Sequence, residues 1–130
     1  MPEFRLSAST TAPVEEVWKL LHDPSRFPEW WSGIETVRTE GVDTYTMWPE
    51  GHPNFPMVQQ LRTEPADGRV TISCLVSNLE FRWQLSEQSP GTAITVTVEI
   101  PPAEAHRLGD QQQLIANSLH RLVDLAAAAR

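Results

Sequence analysis

Three polar side chains sit where this sequence is otherwise apolar, and they are the ones that could do chemistry. Gln59 lies between Met57 and Leu61 on one face of the alternating run 57–64, and Gln111 lies one helical turn from Leu108 and Ile115. Tyr45 stands in a β-branched and aromatic run beside Met47. A buried amide without a partner costs roughly 1–3 kcal/mol, so each glutamine either meets a ligand or finds another route. That route would be a bulge that flips strand parity, or a helix edge from which Gln111 reaches water. His22, His52, His106 and His120 are scattered, with no His-x-x-x-His spacing, and Cys74 is the only cysteine. No metal site and no cofactor is therefore expected, and Cys74 reads as a small core residue that cannot form an internal disulfide. His106 near a helix start and His52 in a long loop are either surface residues or a proton donor and acceptor at neutral pH. No serine–histidine–acid spacing, nucleophile elbow or glycine-rich phosphate loop is present. The chemistry on offer is recognition by shape and a few neutral hydrogen bonds, with Tyr45, Gln59 and His106 as the slender alternative for proton transfer.

Five tryptophans supply the shape. Each buries about 150–250 Å², roughly 4–6 kcal/mol before entropy is subtracted. Trp18 and Trp30 read as core. Trp83 shares a strand face with Phe81 and is either core or cavity wall. Trp31 and Trp48 flank loops, as residues at a pocket mouth or half in water would. The ligand-facing set expected from these positions takes Trp31, Tyr45, Met47 and Trp48 from the first half of the chain. Gln59, Cys74, Phe81 and Trp83 come from later strands, and Leu108, Gln111 and Ile115 from the terminal helix.

The elements that position these residues follow from period and punctuation. Residues 3–9 alternate with Phe4, Leu6 and Ala8 on one side, a half-buried strand. Pro13 suits a helix start, Glu15 and Glu16 favour its positive end, and Val14, Val17, Trp18 and Leu21 make one apolar stripe that Pro24 stops. Residues 25–31 form a second short turn or helix. Strands are expected at 34–40, 43–48, 57–64, 69–76, 79–85 and 92–100, with Val70, Ile72, Cys74 and Val76 as the buried face of the fifth. Loop 49–56 carries three prolines and a glycine and is longer than a hairpin needs. Hairpin connections make an antiparallel meander. Residues 103–128 then carry the helical stripe Leu108, Gln111, Ile115, Leu119, Leu122 and Ala126. At 1.5 Å per residue that helix would run about 39 Å, enough to cross a sheet whose strands span about 25 Å. One rod about 10 Å wide does not fill a strongly curved sheet, so a cleft is expected between them. A cleft below about 300 Å³ would count strongly against a small apolar or aromatic ligand, lipid-sized or larger, lodging there.

The chain has 130 residues, 40% of them hydrophobic, the size of one domain spanning 1–130, with a net charge of −7. Its few basic residues are scattered, which argues against a nucleic-acid partner. No signal peptide or run of 18 apolar residues is visible, so a cytoplasmic location without integral membrane association is expected, and a homodimer is left open.

Ala12-Pro13-Val14-Glu15-Glu16-Val17-Trp18, then Asp23-Pro24, then Pro28-Glu29-Trp30, resembles the opening of the START-like or SRPBCC superfamily, the polyketide cyclase/dehydrase and lipid-transport proteins. The turn Arg62-x-Glu64-Pro65, the strand 81–85, Gly91-Thr92 and the long terminal helix continue the resemblance to the end of the chain. It implies an α+β helix-grip fold of the START/Bet v 1 kind: a curved seven-stranded antiparallel sheet wrapped around a long C-terminal helix, with two short helices after the first strand. It implies a cavity for a small hydrophobic or aromatic ligand, lipid-, polyketide- or quinone-like. A cyclase or aromatase, or a co-chaperone-like module using outward Glu64, Glu80 and Glu99, are the alternatives on the same scaffold. Many relatives carry glycine-x-arginine on the strand after the tryptophan pair; here Tyr45-Thr46-Met47-Trp48 stands in its place.

Overall fold

The structure is a computed structural model that describes residues 2–128. Strand β1 (Glu3–Thr10) leads into helix α1 (Val14–Leu21) and a 3-10 helix (Pro24–Glu29). The remaining strands are β2 (Ile34–Thr39), β3 (Thr44–Pro49), β4 (Met57–Glu64), β5 (Arg69–Cys74), β6 (Glu80–Glu87) and β7 (Thr92–Glu99). A 3-10 helix (Pro102–Arg107) then precedes helix α2 (Leu108–Ala128). One curved antiparallel sheet runs in the order β1-β7-β6-β5-β4-β3-β2, so the meander from β2 to β7 closes by bringing β1 alongside β7. No helix among the described residues is long and apolar enough to cross a membrane.

The fifth strand, the terminal helix and Trp18 depart from the sequence reading, each for a local reason. The fifth strand stops at Cys74 and not at Val76, whose side chain is 52% exposed. Asn78 takes a left-handed φ of 62°, its N–H donates to the Cys74 carbonyl and the Cys74 N–H to the Leu79 carbonyl, so a tight turn begins there and Leu79 fills the core position. The terminal helix begins at Leu108 instead of residue 103, because Glu104 has non-helical angles and the first turn is 3-10. Its 21 residues span about 31 Å. Trp18 is only half-buried, stacked on His22 at 5.5 Å and 13°.

An aromatic cluster forms the centre of the core. Trp30 and Trp31 are both buried, which two adjacent residues achieve here because they follow a 3-10 helix and Trp30 has the irregular angles φ −137°, ψ −26°. Their rings lie 5.4 Å apart and nearly parallel, and Trp83 meets them edge-on at 5.2 and 5.4 Å. Trp30 Nε1 donates to the Leu20 carbonyl at 3.0 Å, which fixes α1 against the cluster. The segment is also pinned to α2: Ser32 N donates to Ser118 Oγ at 2.8 Å, and Arg121 Nη2 to the Glu29 carbonyl at 3.0 Å. Ser118 satisfies itself by donating to the Leu114 carbonyl.

Candidate functional site

A cavity of about 150 Å³ lies where the first turns of α2 stand over the sheet. Trp31 and Phe81 form an aromatic corner, their rings perpendicular at 5.2 Å. Tyr45 and Met47 enter from the inward face of β3, Met57 and Gln59 from β4, and Cys74 from the end of β5. Gln111, Leu114 and Arg107 cover it, and Ser32, Gly33, Ile34, Pro49, Ser77 and Leu79 complete the wall. The space is half the threshold of about 300 Å³, which counts against the expected lipid-, polyketide- or quinone-like ligand, because the indole of Trp31 is folded into the interior instead of standing at a mouth.

Of the residues expected to face a ligand, the structure brings together Trp31, Tyr45, Met47, Gln59, Cys74, Phe81 and Gln111. The other four lie elsewhere. Trp48 follows Met47 by one residue, so it projects from the opposite face of β3, where the Arg38 guanidinium sits 5.5 Å above its ring. Trp83 is fully buried beneath the two indoles, with its N–H unpaired. Ile115 is fully buried in the core, and Leu108 packs against the core's edge without reaching the cavity. Leu79, Leu114 and Arg107 are lining residues that the sequence reading missed. Leu114 was open to discovery, three residues from Gln111 on the same helix face. Leu79 was equally open to discovery, two residues before Phe81 on the same face of the expected strand 79–85, whereas Arg107 was hidden by the late start of α2. His52 and His106 are exposed and line no part of the cavity.

The polar groups inside are neutral. Gln59 is 3% exposed, and its Nε2 donates to the Met57 carbonyl at 3.4 Å and to Cys74 Sγ at 3.3 Å. The Ser77 N–H also points at that sulfur, at 3.5 Å. Arg107 is the one charged lining residue, at the rim, with Nε held 2.8 Å from Glu104. Burial, with a contribution from the Cys74 thiol, pushes the Tyr45 phenol far above its ordinary value of 10.0, so it stays protonated. A raised acid pKa adds stability that is whole below pH 10 and is lost as pH rises beyond it, at about 1.4 kcal/mol per pH unit. Tyr45 is the only tyrosine, so phenolate absorbance near 295 nm reads it alone. That signal is expected to appear together with alkaline unfolding, and Tyr45→Phe to flatten the loss of stability above pH 10; ionisation of the folded protein near pH 10 would contradict both.

The outer face of the sheet is less acidic than its carboxylates suggest. Glu99 and Glu80 lie 3.0 and 3.4 Å from Arg82, and Glu64 lies 3.5 Å from Arg69 and 3.8 Å from Arg62. The three glutamates that would define a charged docking face are matched in number by three arginines, Arg82 being shared by Glu80 and Glu99 while Glu64 has both Arg62 and Arg69.

A curved antiparallel sheet gripping a long terminal helix, with an apolar cavity between them, is the helix-grip architecture of START-like proteins. The chain belongs to the family described as polyketide cyclase/dehydrase and lipid transport, whose model matches residues 1–127. Among solved structures it is similar to XoxI from Bacillus cereus, with a TM-score of 0.81 and 16% identity over 95% of this chain and 94% of that one. A START superfamily protein from Mycobacterium smegmatis aligns with a TM-score of 0.75 and 14% identity, covering 94% and 97% of the two chains. An AHSA1-like protein from Aeromonas hydrophila gives 0.69 and 17%, covering 93% and 92%. At these identities the likeness is one of fold. No curated protein matches the sequence.

Proposed function

We propose that the protein binds a small, uncharged, apolar molecule of single-ring size in the cavity between the sheet and α2. The observation that supports this most is the cavity itself: about 150 Å³, walled by Trp31, Phe81, Met57 and Leu79, with no charge deeper than the rim. An apolar space of about 150 Å³ takes a benzene-sized molecule. A fatty acyl chain or a fused-ring polyketide is too large for it, so the lipid-sized ligand expected from the family narrows to a single ring. Cyclase chemistry gains little support from this lining, whose polar side chains are a phenol held protonated, two amides, the Cys74 thiol, two serines and, at the rim, Arg107.

The test is a thermal-shift and isothermal titration series with toluene and palmitate. Toluene is expected to bind saturably and, at 100 times its Kd, to add about 2.7 kcal/mol to the stability. No response to toluene together with saturable binding of palmitate would overturn the single-ring reading.

A further inference from the structure

We infer that the cavity selects a ring bearing a hydrogen-bond donor, a neutral phenol or aryl alcohol, through Gln111 Oε1. This rests on the binding reading above and specifies its ligand. Gln111 lines the cavity, yet its side-chain oxygen is shut off from solvent and has no hydrogen-bond partner. An unpaired buried carbonyl carries a free-energy penalty that any donor placed beside it relieves. The last torsion of a glutamine is soft, so the oxygen turns toward the cavity at little cost. Gln59 Nε2 donates to the Met57 carbonyl and Cys74 Sγ, which leaves its Oε1 as a second acceptor that the Gln111→Leu variant tells apart from Gln111. The Tyr45 phenol, held neutral, both donates and accepts, so it does not by itself favour a donor over an acceptor on the ligand. Arg107, the charged residue at the cavity rim among the described residues, already has Glu104 on its Nε, so an anionic ring gains less from it than from an unpaired cation.

The experiment compares toluene with phenol, which have nearly the same shape, and adds benzaldehyde as an acceptor-only ring and benzoate as a charged one. Phenol is expected to bind wild type about tenfold more tightly than toluene. Without an acceptor the order reverses, because a buried hydroxyl then goes unpaired. Gln111→Leu is expected to keep toluene binding and lose the preference for phenol, whereas Gln111→Glu, which retains an acceptor oxygen, keeps the preference; circular dichroism and Tm verify that both variants fold. Equal binding of toluene and phenol by wild type, a preference that survives Gln111→Leu, or tighter binding of benzaldehyde or benzoate overturns the assignment to Gln111 while leaving the cavity a binding site. Failure of all four to bind wild type removes the binding reading and this inference with it.

Discussion

Gly91→Ala is expected to cost about 4 kcal/mol or more, enough to leave little folded protein at ordinary temperatures. Gly91 immediately precedes β7 with a φ of +94°, a conformation that L side chains rarely adopt. Space is the larger obstacle. A Cβ built there would fall inside the Thr10 carbonyl oxygen and lie 2.8 Å from Thr11 Cα, and backbone atoms cannot step aside as a side chain can. The crossing is also locked from both directions. Thr92 Oγ1 donates to the Ala12 carbonyl at 2.8 Å, the Ala12 N–H donates to Thr10 Oγ1 at 3.2 Å, and β1 pairs with β7 in continuous register from Glu3↔Glu99 to Thr10↔Thr92. Relieving the clash therefore means parting the strand pair that closes the sheet. Gly109→Ala is the internal control, since Gly109 lies in α2 with nothing within 4 Å of its added Cβ, and it is expected to gain roughly 0.5–1 kcal/mol. Urea unfolding of the two variants decides the matter. A Gly91→Ala protein within about 1 kcal/mol of wild type would mean that β1 leaves the sheet by a different path.

The sheet was legible in the sequence because its period is strict. β4 spans the same residues, Met57–Glu64, that its alternation defines, and the inward set Phe81, Trp83 and Leu85 of β6 is buried as parity requires. The core stripe of α2 held through Ile115, Leu119, Leu122 and Ala126 for the same reason. Elements without a period were harder. Trp30 and Trp31 sit where the backbone is irregular, so no pattern says that both indoles turn inward, and the turn at Ser77–Asn78 took Val76 out of the core by a left-handed residue that alternation does not register. Trp48 was misplaced although parity with Met47 held the answer, because its neighbouring loop was given more weight than its strand. The size of the cavity was least legible of all. It is the small remainder left after several aromatic rings pack against one another, and a remainder of that kind has no signature in the order of residues.

Trp31→Ala joins the cavity's size to the protein's stability. Removing this indole is expected to cost about 3–5 kcal/mol, the range for a buried aromatic cut back to alanine. Trp31 contacts Phe27, Trp30, Phe81 and Trp83 at centroid distances of 5.2–5.4 Å, so four rings lose a partner at once. Unlike the others of the cluster on the 3-10 segment, it also walls the cavity, so the vacated space is continuous with the existing 150 Å³. The enlarged hollow matches the fragment removed. Free indole is therefore expected to bind the variant and, at 100 times its Kd, to return about 2.7 kcal/mol of the loss, while toluene binds more weakly because one aromatic wall is gone. Trp30→Ala provides the contrast. It orphans the Leu20 carbonyl and costs a similar amount, but Trp30 does not border the cavity, so the volume available to ligands there should stay near its present value. Equilibrium unfolding with and without indole reads all of these quantities. A loss below about 1.5 kcal/mol in Trp31→Ala, or an unchanged stability in saturating indole, would show that the surrounding rings collapse into the gap, and a wall that closes when one residue is removed could not hold open a site of this size in the first place.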